Sequence, residues 1–308
     1  MTDQLQFPLF IDSSILSDIK ECKKRAYWKH IRGKASRGAS IHLVAGGAFA
    51  RGLEVTRRAF FADGMGAEDA LGEGLIALLI AYDTTKLDAD YEEHAKSPAR
   101  IAGALVAYFD RYPIATDILK PAIINSKPAI EFSFSLELPN CHHPETNEPI
   151  LYCGRSDMIS EYNESLIIVD EKTTMQLGPT WGQKWDLRSQ FMGYTWAGKQ
   201  HGLPVIGAMA RGVAIRKTGY DFAQALVQFS DWQIDRWLEQ TCRDVNAFIE
   251  CFKNKYYDYN FGEACTAYGG CEMKRLCTVK DPEPWVDLYY EDHYWNPLRQ
   301  ASTSTLVK

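Results

Sequence analysis

The spacing of apolar residues changes near residue 129, and this change constrains the possible folds more than any other feature of the chain. Before it, apolar residues recur at the three- and four-residue intervals of amphipathic helices. Ser13 or Ser17 is a candidate N-cap for the first of these helices. The predicted helices cover residues 13–31, 42–63, 67–82 and 97–112, with a loop at Gly33–Gly38.

After residue 129 the period shortens to the alternation expected of β-strands. The predicted strands are 129–138, 150–160, 166–173, 205–215 and 222–229, with a turn at 140–149 and a tight hairpin turn at 162–165. Helices are predicted at 180–199 and 231–253. This order predicts an α/β core with a helical N-terminal lobe.

The amino-acid composition excludes several classes of protein. The chain has 308 residues, of which 46% are hydrophobic and 24% charged, as in globular proteins and unlike disordered or collagen-like chains. Its best apolar run, Leu75–Tyr82, is far shorter than the roughly 18 residues of a membrane helix. The N-terminus lacks the pattern of a signal peptide. We therefore expect a cytoplasmic protein with no membrane partner.

Charge is distributed unevenly along the chain. The formal net charge is −6, which argues against indiscriminate binding of nucleic acid. Residues 20–58, however, contain eleven Lys or Arg residues against Glu21 and Glu54. This basic segment could attract a polyanion, or it could be a solvated helix face.

The predicted hairpin carries the densest group of reactive side chains. Because side chains alternate along a strand, Asp170 and Lys172 share a face, and Asp157 on the partner strand could stand beside Asp170. Converging carboxylates repel each other unless a cation separates them, and Mg²⁺ prefers such oxygen ligands. The alternative is an ordinary edge strand with a surface Asp–Lys pair.

A third motif lies on the helix after this hairpin, where Gln190 and Tyr194 are four residues apart and share a face. Gly154-Arg155-Ser156-Asp157, then Asp170-Glu171-Lys172-Thr173, then Gln190-Phe191-Met192-Gly193-Tyr194 together resemble the PD-(D/E)XK nuclease superfamily. Within it, they resemble the RecB-type exonuclease branch. The resemblance covers residues 129–200 and implies a restriction-endonuclease-like core, a mixed central sheet flanked by helices.

The resemblance also implies a metal site. Asp157 and Asp170 would be ligands of Mg²⁺ or Mn²⁺, and the main-chain carbonyl of Glu171 would complete the inner shell. Glu131, on the preceding strand, falls where related nucleases often have an acidic residue near the metals. Alternatively, Glu131 is a solvent-facing strand residue.

The remaining implied roles concern catalysis and substrate. Lys172 would be the catalytic lysine, and Gln190 and Tyr194 would orient the DNA backbone and the scissile phosphate. The implied activity is that of a metal-dependent DNA nuclease of the exonuclease type, which acts on single- or double-stranded DNA. A helicase or a recombinase is a candidate working partner.

One position departs from the family pattern. RecB-type nucleases often have a histidine ligand on an earlier helix, but Gly46–Glu54 has Ala50 at that place. Either the metal site loses a ligand or it recruits Glu54, one helical turn further on. The favoured alternative for Glu54 is an ion pair with Arg51 or Arg58 at helical spacing.

Three of the eight cysteines lie close together near the C-terminus, at Cys265, Cys271 and Cys277, and Cys22 stands alone near the N-terminus. This set resembles the iron–sulfur staple of RecB-type nucleases in phage, CRISPR and helicase–nuclease systems, which implies that the four thiolates hold a 4Fe–4S cluster. Zinc and unligated buried thiols are the alternatives, although the short Cys spacings typical of zinc sites are absent. The other four cysteines are expected to be core residues.

These expectations divide the chain into a basic helical lobe (1–125), a nuclease core (126–258) and a C-terminal cysteine segment (259–308), which the cluster would close into one integrated domain. The rival function is a non-catalytic nucleic-acid-binding module that keeps the cluster. The departure at Ala50 supports that rival, and the presence of the three motifs argues against it. A cluster-based redox protein is a third alternative, but no partner-cofactor motif supports it.

Overall fold

A computed structural model describes residues 5–85, 87, 90–267 and 270–298. Its α-helices are α1 (Ser13–Glu21), α2 (Lys23–Ala26), α3 (Ile41–Phe61), α4 (Ala67–Ala81), α5 (Pro98–Arg111), α6 (Ser189–Gln200), α7 (Asp231–Lys253), α8 (Lys274–Cys277) and α9 (Glu283–Tyr289). The predictions of α3, α4, α5 and α7 are confirmed to within two residues. No helix in the described ranges is both long and apolar enough to cross a membrane.

The first predicted helix is wrong in two respects. It is capped by Asp12, whose side chain accepts hydrogen bonds from the main-chain N–H groups of Ser14 and Ile15. It also ends at Glu21, because Cys22 has an extended backbone. The chain then continues through α2 into a π-helical turn at Tyr27–Ile31.

The strands are β1 (Phe10–Ile11), β2 (Lys34–Ser36), β3 (Ile123–Ile124), β4 (Lys127–Pro128), β5 (Ile130–His142), β6 (Pro149–Tyr162), β7 (Ser165–Thr174), β8 (Val205–Ile215), β9 (Tyr220–Gln228) and β10 (Tyr290–Asp292). The predicted loop at Gly33–Gly38 is wrong, since β2 pairs antiparallel with β10, whose residues lie some 250 positions away. The predicted turn at 140–149 begins too early, because β5 continues to His142.

The predicted helix at 180–199 is divided. A 3₁₀-helical turn occupies Gly182–Trp185, and α6 begins only at Ser189. The indole rings of Trp181 and Trp185 are buried and meet edge to face, with centroids 5.3 Å apart. Burial of these two large rings offsets the loss of regular helix in this connection.

The sheet is mixed, as the expected α/β class requires. β6 pairs antiparallel with β7, β7 pairs parallel with β8, and β8 pairs antiparallel with β9. β1 adds a short parallel pairing to β6, and β5 also pairs with β6. Helices flank this sheet.

The chain forms two compact units, whose segments alternate along the sequence. One contains described residues within Met1–Arg37, Phe134–Gly154 and Asp235–Thr303; the other contains Gly38–Ser133 and Arg155–Ile234. The three consecutive segments expected from sequence stay a prediction. In the second unit, the core formed by α3, α4, α5 and β8 includes Phe49, Leu105 and Val213.

Two glycines bring α3 close to α4 in this core. A Cβ atom at Gly74 would lie 1.9 Å from the Thr56 Oγ1 atom and 2.7 Å from the Gly52 carbonyl oxygen. A Cβ atom at Gly52 would lie 2.8 Å from a Leu105 methyl group. Larger residues at either position would therefore push the helices apart and displace α3, which carries Arg57.

Candidate functional site

β6 and β7 are paired from Tyr162↔Ser165 up to Met158↔Val169, and the candidate site begins at the next residue of each strand. Asp157 and Asp170 occupy those positions. The Asp157 Oδ2 atom accepts a hydrogen bond of 2.8 Å from the main-chain N–H of Glu171. The structure thus places Asp157 beside the Asp170–Glu171 pair, in the arrangement expected from strand alternation.

Asp170 and Lys172 also share a face, as expected. The Lys172 Nζ atom lies 2.6 Å from the Asp170 Oδ2 atom. The Asp170 side chain is buried, whereas that of Lys172 retains 30% of its accessible surface. Lys172 therefore contacts a buried carboxylate while its own side chain stays partly accessible to solvent.

The Glu171 side chain points to the opposite face, into a buried cluster. Both of its oxygens accept hydrogen bonds from Arg57 on α3, and the Tyr108 hydroxyl donates a third at 2.7 Å. Burial by itself would raise the pKa of Glu171, but the charge and hydrogen bonds of Arg57 outweigh it and hold the pKa at about 2. Glu171 is therefore an anion at neutral pH, neutralised by Arg57.

This buried network continues away from the site through Arg211 of β8. Arg211 donates a hydrogen bond of 3.0 Å to the Tyr108 hydroxyl and two more to the carboxylate of Asp117. Sequence reasoning missed this network, because its members lie on different elements and carry no local motif.

Burial and neighbouring negative charges raise the pKa of both aspartates at the fork between β6 and β7. For Asp157 the pKa is well above its ordinary value, because of burial first and then the negative charges of Asp170 and Glu171. Burial also raises the pKa of Asp170, although Lys172 and Arg188 act in the opposite direction. Across the described part of the chain, no three His, Cys, Asp or Glu side chains are already arranged to hold a metal ion.

Glu131 lies near this fork in an unusual conformation. Its φ of 56° is in the left-handed region, which non-glycine residues seldom adopt. Its carboxylate is buried and lies 2.7 Å from the Arg155 Nε atom. Burial raises the pKa of Glu131 to about 7 against the opposing charge of Arg155. The alternative of a solvent-facing Glu131 is therefore wrong, while ligation of a metal stays a prediction.

Glu54 is occupied by ion pairs. Its two oxygens lie 2.8 Å from Arg51 Nη1 and 3.0 Å from Arg58 Nε. The ion-pair interpretation of Glu54 is therefore confirmed.

Gln190 and Tyr194 share a face of α6, as expected. The Gln190 amide donates a hydrogen bond of 3.0 Å to the Tyr194 hydroxyl, which donates one of 2.8 Å to the Arg155 carbonyl oxygen. Tyr194 thereby connects α6 to the strand that carries Asp157. Arg188, the exposed residue that precedes α6, is a cation near Asp170 that the motifs did not reveal.

The basic segment at residues 20–58 is largely neutralised. Nine of its cations form ion pairs with acidic side chains: Lys20, Lys23, Arg25, Lys29, Arg32, Lys34, Arg51, Arg57 and Arg58. Lys24 lies over the ring of Tyr27, and Arg37 donates to main-chain carbonyls. The segment is thus not an open polyanion-binding surface.

The four predicted cluster ligands meet in one pocket. Cys22, Cys265, Cys271 and Cys277 line a cavity of about 170 Å³. Burial, and then the negative charges of the other three thiolates, raise the pKa of Cys277 to about 11. Gly270, with φ of 98°, supplies a left-handed turn between Cys265 and Cys271. The preceding Gly269 lies outside the described residues.

The other cysteines do not join this pocket. Cys141, Cys153 and Cys251 are buried, as expected for core residues, and Cys242 is partly exposed. The Cys141 thiol donates a hydrogen bond of 3.7 Å to the Cys242 carbonyl oxygen.

Comparisons with known proteins give little further information. No protein-family model and no curated protein matches the chain. Among solved structures, the crystal structure named "Putative exonuclease" from Eubacterium rectale is 15% identical, with 91% of this chain and 92% of that chain covered and a TM-score of 0.48. A protein named SSO0001 is 14% identical over 87% of this chain and 96% of that one, with a TM-score of 0.32. These TM-scores do not establish a shared fold.

Proposed function

We propose that the protein is a divalent-metal-dependent DNA nuclease with a RecB-type, restriction-endonuclease-like core. One observation carries the proposal: Asp157, Asp170 and Lys172 meet where β6 and β7 part, a half-buried and a buried carboxylate beside one partly exposed ammonium group. This combination suits hydrolysis of a phosphodiester, in which negative charge develops beside the attacked phosphorus.

The donor chemistry of this group fits a hard divalent cation. Asp157 and Asp170 supply carboxylate oxygens, the preferred ligands of Mg²⁺ and Mn²⁺, and the Glu171 carbonyl is the third proposed ligand. Burial, and then repulsion by Asp170 and Glu171, raise the pKa of Asp157, and a bound cation would offset that repulsion. When bound, the ion would supply Lewis-acid stabilisation of the phosphate and a more acidic water.

The chain's own residues have separate roles in this proposal. Lys172 orients the attacking water and stabilises charge on the phosphate. Gln190 and Tyr194 position the DNA backbone. The hydrogen bond from the Tyr194 hydroxyl to the Arg155 carbonyl oxygen holds α6 against β6. Arg188 is exposed next to Asp170 and adds a positive charge where a phosphate would enter. Exonucleolytic cutting and a helicase or recombinase partner stay predictions.

We also propose that the cysteine pocket holds a 4Fe–4S cluster. The supporting observation is that residues separated by more than 240 positions, Cys22 and Cys265 to Cys277, line the same small pocket. Four thiolates are the ligand set of such a cluster, and Zn²⁺ is the competing occupant. Cross-linking these points would add stability by restricting the unfolded chain.

The proposed activity is tested with the full chain purified without oxygen. End-labelled single- and double-stranded DNA is incubated with Mg²⁺, Mn²⁺ or EDTA, using wild type, Asp170→Asn and the exposed control Asp221→Asn. We expect cleavage only with a divalent metal, abolished in Asp170→Asn and unchanged in Asp221→Asn. Unimpaired cleavage by Asp170→Asn would overturn the assignment of the site. Binding without cleavage under all conditions would favour the non-catalytic module.

A further inference from the structure

Lys96, in the segment between α4 and α5, is a buried cation without an acidic partner. The residue is 2% exposed, and its Nζ atom donates one hydrogen bond of 3.1 Å to the Thr173 hydroxyl. Among the described residues, no carboxylate forms an ion pair with it. Burial lowers the pKa of Lys96 to about 8, so the ammonium form still prevails at neutral pH. Two of its three N–H donors therefore lack an acceptor from the described chain.

Two histidines, His94 and His42, lie near Lys96. The His94 Nδ1 atom accepts a hydrogen bond of 3.0 Å from the Lys96 main-chain N–H, which leaves the Nε2–H of a neutral His94 as a donor. The His42 ring, at the start of α3, lies 5.5 Å from that of His94. Burial, and then the positive charge of nearby Lys96, lower the pKa of His42. The cluster thus combines the positive charge of Lys96 with imidazole N–H donors, and no carboxylate in the described part of the chain is paired with Lys96.

The cluster lies on the face of β7 opposite to the proposed cleavage site. Thr173, which accepts from Lys96, follows Lys172 directly in β7, so its side chain shares a face with Glu171 and points away from Asp170 and Lys172. α3 passes the same position, where a Cβ atom at Gly46 would lie 3.6 Å from the Thr173 hydroxyl. The exposed ring of His42 keeps one side of the cluster open to solvent.

From this geometry we infer that Lys96, His42, His94 and Thr173 form a phosphate-binding site, separate from the carboxylates that would carry out cleavage. Its ligand is a phosphate group of the nucleic acid substrate. The ligand must be an anion, since a buried ammonium group repels metal ions. A phosphate offers several oxygens, which suits an ammonium group with further N–H and O–H donors nearby. That the phosphate belongs to nucleic acid rests on the proposed function, whereas the anion site itself does not.

The test measures binding without divalent metal, so that it is independent of cleavage. Thermal unfolding of the full chain in EDTA is compared in inorganic phosphate and in chloride at equal ionic strength. We expect phosphate to raise the melting temperature of wild type and of the exposed control Lys217→Met, but not of Lys96→Met. In chloride, Lys96→Met should be at least as stable as wild type, because it removes an unbalanced buried charge. A purely structural lysine would give the opposite result.

Oligonucleotides identify the source of the phosphate. Single strands with a 5′-phosphate or a 5′-hydroxyl are titrated in EDTA, and Lys96→Met should weaken binding by about tenfold, the loss of one charge-assisted hydrogen bond. Weakening confined to the 5′-phosphorylated strand assigns a terminal phosphate, and weakening of both strands assigns a backbone phosphate.

A second variant guards against misfolding of Lys96→Met. His42→Gln alters an exposed side chain, and it should reduce the phosphate response while leaving the circular dichroism spectrum unchanged. The inference is overturned if wild type shows no response to phosphate, or if the response persists in Lys96→Met. Failure of the nuclease assay leaves both readouts intact, so the two proposals can fail separately.

Discussion

Asp157 accepts a hydrogen bond of 2.8 Å from the main-chain N–H of Glu171, one residue beyond the last paired positions of β6 and β7. This contact holds the two strands together just where their ladder ends. Glu171 consequently makes contacts on both faces of β7. Its main-chain N–H holds the Asp157 carboxylate of the proposed metal site, and its side chain is held by Arg57. The geometry of the site therefore depends on a buried ion pair on the opposite face of β7.

Replacement of Lys172 tests the chemistry apart from the metal ligands. Lys172→Met should reduce the rate of DNA cleavage by about 10²- to 10⁴-fold, because it removes charge stabilisation and water orientation in the transition state. DNA binding in EDTA should change only a few-fold, because binding draws on other contacts. Lys184→Met, an exposed lysine in the connection to α6, is the control. Cleavage within tenfold of wild type would exclude Lys172 as the catalytic lysine.

Arg57→Met should destabilise the fold by about 3–5 kcal/mol, because it leaves Glu171 buried without a counter-charge. Urea unfolding followed by circular dichroism measures this change. The double variant Arg57→Met/Glu171→Met should recover much of the loss, since it removes both buried charges together. If the single and double variants have equal free energies of unfolding, Arg57 stabilises the fold by packing and not through its ion pair with Glu171.

The Arg57–Glu171 ion pair also predicts that the folded protein loses stability in acid. The pKa of Glu171 is about 2 in the folded chain against an ordinary value of 4.5, so the unfolded chain binds the extra proton first as the pH falls. The stability that Glu171 contributes is therefore complete above pH 4.5 and is lost as the pH falls towards 2. Free energies of unfolding measured over this range should fall less steeply for Glu171→Gln than for wild type. Parallel curves would contradict an ionised, paired Glu171.

Cys22→Ala tests the proposed cluster. Wild type purified without oxygen should be brown and contain about four iron and four sulfide per chain, and Cys22→Ala should lose the colour and much of its thermal stability. Cys141→Ala, which alters a buried thiol outside the pocket, should keep the metal content. Stoichiometric zinc in a colourless protein would replace the cluster with a zinc site. Absence of both metals would leave four unligated thiols.

Sequence alone determined the elements whose signal is local. The helical spacing of apolar residues was enough to predict α3, α4, α5 and α7, and the predicted β8 agrees with the structure in both bounds. Strand alternation similarly determined that Asp170 and Lys172 share a face while Glu171 points away. Such periodicity is a property of a few adjacent residues, so it can be read without knowledge of the chain's path.

Only the tertiary structure decided which charges meet. The eleven cations of residues 20–58 resembled a polyanion-binding surface until their acidic partners, many of them more than 200 residues away, were located. By contrast Lys96, which no motif distinguished, is the buried cation without such a partner in the described chain. The pairing of β2 with β10 likewise joins two segments that are far apart in the sequence, so only the tertiary structure reveals it. The free energy of a buried charge depends on which charges the folded chain places beside it, and that of an unpaired strand edge depends on which strand pairs with it. These neighbours are distant in sequence, so no local sequence pattern predicts them.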